Sequence, residues 1–199
     1  VRPPAIRAAW QRIDVFELAT GVFVLVASLL PASPWFGHAN GIVATTLVFE
    51  FGMAWLAMFA HGASFASTRA ARFALLGVGA AMVAVAGIHH AVQLERTALI
   101  LPGVWIVAMR LRAPRGVRAF DALHCRCVAF EAMTAWLTLI GVFVVYVLVH
   151  ALSGGTGPAR MQQDGRFAIV WGGFYAALAV LMPVARRLAL RWRVPPQAP

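Results

Sequence analysis

Polar residues in this chain gather in short clusters between long apolar runs, and the run lengths predict helices that cross a bilayer. At 1.5 Å rise per residue, about 20 residues span roughly 30 Å of hydrocarbon. Five stretches reach or approach that length: 14–31, 40–61, 72–90, 128–150 and 167–185. A sixth, TALILPGVWIVAM at 97–109, has only thirteen residues between Arg96 and Arg110. Its Pro102-Gly103 pair predicts a break or kink. No ten-residue alternation suggests barrel strands, so every span is expected to be a helix that satisfies its own backbone.

Charge decides whether the short sixth stretch crosses. With six spans and a cytoplasmic N-terminus, the inner side holds Arg2, Arg7, Arg12, Arg69, Arg72, Arg110, Arg112, Arg115, Arg118, Arg126, Arg186, Arg187, Arg191 and Arg193, and the outer side only Arg96, Arg160 and Arg166. With five spans the same residues divide into seven inside and ten outside. Six spans obey the positive-inside rule and five break it. The short span can cross if Glu95, Arg96, Arg110 and Arg112 reach toward the headgroups while the bilayer thins. Both termini are then cytoplasmic, with Arg-rich tails at 1–12 and 186–199.

The spans also echo one another. FEFGMAWLAM at 49–58 resembles FEAMTAWLTL at 130–139, GVFVLVA at 21–27 resembles GVWIVA at 103–108, and RFALLGVGAA at 72–81 resembles RFAIVWGGFYAA at 166–177. The offsets are 81, 82 and 94 residues, the last stretched by the loop SGGTGPARMQQDG. Three spans repeated as three reverse direction through the bilayer, which is the inverted-repeat construction of many transporters, with a site expected where the halves meet. The predicted fold is an all-α integral membrane protein of six transmembrane helices, a single membrane domain over 1–199. Its repeats cover about 13–90 and about 95–187.

Composition agrees. The chain is 61% apolar and 12% charged, against roughly 45–50% and about 25% for soluble domains, and its mean hydropathy is +0.78. The net charge of +10 comes entirely from Arg, without Lys, placed between apolar blocks. That distribution points to topology and anionic headgroups rather than nucleic acid. Arg2, Arg7 and Arg12 before an apolar run imitate a secretory signal, but Asp14 and Glu17 at the start of that run favour a membrane anchor. Cys125 and Cys127 are expected to be reduced thiols on the cytoplasmic side.

Candidate chemistry centres on Glu50. An ionised side chain at mid-membrane costs at least roughly 2.5–3.5 kcal/mol, so it should face the bundle and be neutral or paired. Helical spacing puts Thr46, Glu50, Ala54, Ala57 and His61 on one small, polar face, with Phe49, Phe51, Trp55 and Phe59 pointing elsewhere. Glu131, Thr134, Ala135 and Thr138 form the matching face of the fifth span. Glu131 lies five residues beyond Arg126 and is expected near the cytoplasmic headgroups, where it could form an interfacial ion pair. Glu17 reads as interfacial.

His38, His89, His90 and His150 fall at the outer span ends with Glu95 near and could hold a transition metal. His61 and His124, beside Cys125 and Cys127, fall at the inner ends. Haem b could use His38 with His150 or His61 with His124, although the 23 residues from His38 to His61 push both toward the hydrocarbon edges. The expectation is no resident cofactor, with haem or a metal as the minor alternative. No nucleophile elbow, HExxH or Walker motif is present.

These features favour a small inner-membrane carrier or channel for a small solute or ion, with Glu50 as the protonatable group and Glu131 as its counterpart. Two rival classes remain open. One is an intramembrane enzyme using the two Glu as acid and base on a lipid or isoprenoid. The other is an accessory or haem-holding subunit of a larger complex. The protein partner expected is a second copy, in a homo-oligomer, or a larger membrane complex.

Overall fold

A computed structural model describes residues 14–29, 39–95, 97–114, 116–152 and 166–191. Every element among them is helical: α1 (Val15–Leu29), α2 (Ala39–Phe51), α3 (Met53–Phe65), α4 (Arg69–Gln93), a 3-10 turn (Thr97–Leu99), α5 (Ile100–Leu111), α6 (Ala122–Leu152) and α7 (Arg166–Arg191). Four helical stretches are long and apolar enough to cross a membrane: Gly41–Phe65, which joins α2 to α3, Arg69–Gln93, Ala122–Leu152 and Val170–Arg191. Val15–Val26 and Thr97–Leu111 are shorter apolar helical stretches. The chain is an all-α membrane protein. Its exposed surface is rich in large apolar side chains, among them Val22, Trp55, Phe73, Leu101, Leu137 and Val180, as a bilayer-facing surface requires.

Local chemistry sets the helix ends. Asp14 caps α1, its Oδ1 accepting the Phe16 N–H at 3.0 Å. Thr68 caps α4, its Oγ1 accepting the Ala71 N–H at 3.1 Å. At Gly52 the junction of α2 and α3 tightens without breaking: Gly52 N–H donates to Val48 O at 3.0 Å and Trp55 N–H donates to Gly52 O at 2.9 Å. A Cβ at Gly52 would lie 3.1 Å from Val83, so glycine lets α4 close against this junction.

The α2–α3 span is the hub. α3 packs along α6 and α4, α6 along α7, and α1 along α7, while α2 touches α1, α4 and α5. Phe49 of α2 is fully buried, its ring lying where side chains at Gly87 of α4 and Gly103 of α5 would otherwise stand. Of the aromatic residues placed off the Glu50 face, Phe49 thus packs into the bundle, whereas Phe51 and Trp55 are exposed on its outer surface.

The short span differs from expectation too. α5 runs unbroken through Pro102 and Gly103. Pro102 falls in the first turn, where a missing N–H costs nothing, and Gly103 accommodates Phe49. The proline inside a helix is instead Pro183 of α7.

Candidate functional site

α1 presents its polar residues inward. Asp14, Glu17 and Thr20 are buried with Gly21 and Val24, while Val15, Phe16, Leu18, Val22 and Phe23 are exposed, so the helix is apolar toward lipid and polar toward its neighbours. Its start is anchored by α7. Pro183 has no N–H to offer the carbonyl one turn earlier, and that carbonyl, Ala179 O, accepts the Asp14 N–H at 2.9 Å. A Cβ on Gly21 would fall 2.7 Å from Tyr175 Cβ, so glycine is needed for this close approach. Trp105 of α5 donates its Nε1–H to Thr20 Oγ1 at 3.2 Å.

Four buried carboxylates meet two arginines around this contact. Arg186 of α7 donates through Nε to Glu131 Oε1 at 2.6 Å and through Nη2 to Glu131 Oε2 at 3.2 Å. The same Nη2 stands 2.7 Å from Asp14 Oδ2. Arg110 at the end of α5 is only 2% exposed. Its Nη1 pairs with Glu17 Oε1, and its Nη2 donates to Glu17 Oε2 at 3.3 Å and lies 3.6 Å from Glu50 Oε1. Each arginine thus serves one acid of α1 and one of the two echoed glutamates. The two triads adjoin, because Arg110 lies within electrostatic reach of Asp14, Glu131 and Arg186.

The triads are unequal. Asp14, Glu17 and Glu131 each hold a hydrogen bond or close ion pair to a guanidinium. Glu50 is 0% exposed, and neither of its oxygens has a hydrogen-bond partner among the described residues. The Tyr175 hydroxyl faces it but falls outside strict hydrogen-bond geometry and is itself unpartnered there.

Several expectations change against this geometry. Arg110 does not reach for headgroups; it is buried between Glu17 and Glu50. Glu17 is 4% exposed and paired with Arg110 inside the bundle. Glu131 is 2% exposed and forms an ion pair with Arg186 of α7. His61 is exposed on the bundle surface, its ring edge-on to Phe65 at 5.1 Å. The buried positions Thr46, Glu50, Met53, Ala57, Ala60 and Ser64 follow a seven-residue rhythm that drifts off the 3.6-residue face and leaves His61 outside it.

Thr46 is buried, but its hydroxyl faces Ile42 O and Val43 O at 2.9 and 3.0 Å and accepts the Trp171 indole N–H at 2.9 Å, so it braces α2 against α7. Thr138 donates to Thr134 O at 2.7 Å within α6. Both threonines of α6 are half-buried.

The histidines do not converge. Among the described residues no group of three or more His, Cys, Asp or Glu is placed to share a metal, and His38 lies outside those residues. His89 is exposed and bonds Gln93 at 2.9 Å. His90 is half-buried, and His150 stacks on Tyr146 at 6.2 Å. His124 is buried with both nitrogens engaged: Nδ1 accepts the Phe120 N–H at 2.9 Å and Nε2 meets Leu111 O at 3.0 Å. These two contacts tie α6 to the end of α5. Cys125 and Cys127 are free and buried.

Sequence reasoning missed Arg110, Arg186, Asp14, Glu17 and Tyr175. The available signal was the excess of carboxylates at or within spans, each of which needs a cation. No protein-family model matches the chain, and neither does any curated protein or solved structure.

Proposed function

We propose that this chain is a small multi-pass carrier or channel of the inner membrane that moves protons, alone or with a small solute, and that Glu50 is the group that takes up and releases the proton. The observation that carries the reading is the inequality within the network. Three of its four carboxylates are held closely by a guanidinium, whereas Glu50 is completely buried, has only the 3.6 Å ion pair with Arg110, and has neither oxygen hydrogen-bonded among the described residues. A carboxylate in that position gains most from a proton, since burial without hydrogen bonds disfavours the charged form.

The inverted repeat is part of the same reading. α3 against α6 supplies a self-paired centre, α3 on α4 answers α6 on α7, and α1 on α7 answers α5 on α4. Those pairings are compatible with a three-plus-three inversion, although the contact of α2 with α5 has no comparable contact of α6 with α1 to match it among the described residues. Both termini are assigned to the cytoplasm by the Arg distribution. Exposed Arg112, Arg118 and Arg191 are then available to anionic headgroups.

The test is reconstitution of purified protein in liposomes with an imposed pH gradient and a potassium diffusion potential. Wild type is expected to collapse the gradient faster than empty liposomes, and folded Glu50→Gln to fall to the empty-liposome rate. Equal rates for wild type and Glu50→Gln would remove Glu50 from proton movement.

A further inference from the structure

One nitrogen of Arg110 faces two competing acids. Nη2 is 3.3 Å from Glu17 Oε2 and 3.6 Å from Glu50 Oε1, while Nη1 stays on Glu17. Glu17 belongs to α1 and Glu50 to α2, so this nitrogen lies between two separate helices. Both acids are buried, and water cannot readily replace a lost partner. When Glu50 carries a proton, Arg110 is free to give both of its terminal nitrogens to Glu17, which is the arrangement observed. When Glu50 is ionised, its bare oxygens draw Nη2 away and Glu17 keeps a single donor.

We infer that Arg110 is a counterion shared by Glu17 and Glu50, so that proton uptake on Glu50 tightens α1 against the bundle and proton release loosens it. This rests on the reading of Glu50 as the proton-exchanging group and adds the element that responds. In the cycle a proton binds a Glu50 oxygen and later leaves it, no other bond changes, and Arg110 keeps its charge.

The remaining groups around Glu50 are consistent with this role. Tyr175 of α7 faces Glu50. α4 turns Val83 and Gly87 toward the α2–α3 span. On the far side, Glu131 of α6 and Asp14 of α1 are occupied with Arg186. The second triad has the same form, with Nε of Arg186 on Glu131 at 2.6 Å and Nη2 shared between Glu131 Oε2 at 3.2 Å and Asp14 Oδ2 at 2.7 Å. There, however, each acid already has a guanidinium nitrogen within 2.7 Å, whereas Arg110 Nη2 stands 3.6 Å from Glu50. Other holds on α1 include the Asp14 contacts with Ala179 and Arg186, the Trp105–Thr20 bond and the Arg112 guanidinium 4.1 Å over the Phe16 ring. They keep the helix attached while the Glu17 contact strengthens and weakens.

Hydrogen exchange by mass spectrometry on the full chain in nanodiscs reads this directly, with each variant compared with wild type at the same pH so that intrinsic exchange cancels. At the alkaline end of the series, amides 18–24 of α1 should exchange more slowly in Glu50→Gln than in wild type, on the order of tenfold, which corresponds to about 1.4 kcal/mol. At the acid end the two should coincide, and amides 79–87 of α4 should not respond. The difference should vanish when Glu17→Gln is combined with Glu50→Gln and compared with Glu17→Gln alone. If that variant does not accumulate, Glu17→Asp replaces it and should shrink the difference.

Identical α1 exchange in wild type and Glu50→Gln at every pH would overturn the inference, as would a difference that survives the change at Glu17. Loss of proton flux without any α1 response would remove this coupling and leave Glu50 as the proton group. An α1 response with unchanged flux would do the reverse.

Discussion

Phe49 and Glu50 are chain neighbours, both completely buried, and they fill opposite needs. Phe49 is a wedge between α4 and α5, so its pocket depends on the absence of side chains at Gly87 and Gly103. Gly103→Ala should cost about 1–3 kcal/mol by overpacking, read as a lower thermal unfolding midpoint in detergent. Gly77→Ala, whose Cβ would meet nothing within 4 Å, should leave the midpoint in place. Glu50 was legible from sequence because a lone carboxylate inside an apolar run demands an explanation. Arg110 was not, because counting arginines by side treats each as reaching outward and cannot tell which one turns in. Only the geometry shows that Glu17 and Glu50 draw Arg110 inward.

At the scale of elements, α7 and α1 are joined through a defect. Pro183 leaves Ala179 O without its helical donor, and the first backbone N–H beside α1 takes the place. Pro183→Ala would give that carbonyl a donor within α7 and set it in competition with Asp14. The expected result is faster hydrogen exchange at the start of α1; unchanged exchange there would show that the Asp14–Ala179 bond contributes nothing to docking. The helices themselves were readable from run length, with ends off by a few residues. α5 was identified by the Arg count, yet its continuity was misread, since a proline in a first turn and a proline in mid-helix look alike until the helix start is fixed. The pairing of α3 with α6 could not be read from periodicity, because membrane helices are apolar on most faces and carry little directional signal.

For the whole molecule, the Arg asymmetry predicts which side the loops face. A cysteine introduced at Ala113 or Arg118, with Cys125 and Cys127 replaced by Ala, should react with an impermeant maleimide in inside-out vesicles and not in intact cells; the opposite pattern would reverse the proposed topology. Charge balance makes the second demand. Asp14, Glu17, Glu50 and Glu131 pair with Arg110 and Arg186, and in the Arg110 triad two ionised acids would share one guanidinium in a low-dielectric bundle. Protonating Glu50 balances the Arg110 triad, whereas the Arg186 triad is less enclosed, with the Arg186 side chain 22% exposed. Infrared difference spectroscopy of the protein in lipid across a pH series observes that proton most directly. The account predicts a protonated-carboxyl C=O stretch that fades as pH rises and is missing from Glu50→Gln; a band that persists in Glu50→Gln, or its absence from wild type at every pH, would contradict it.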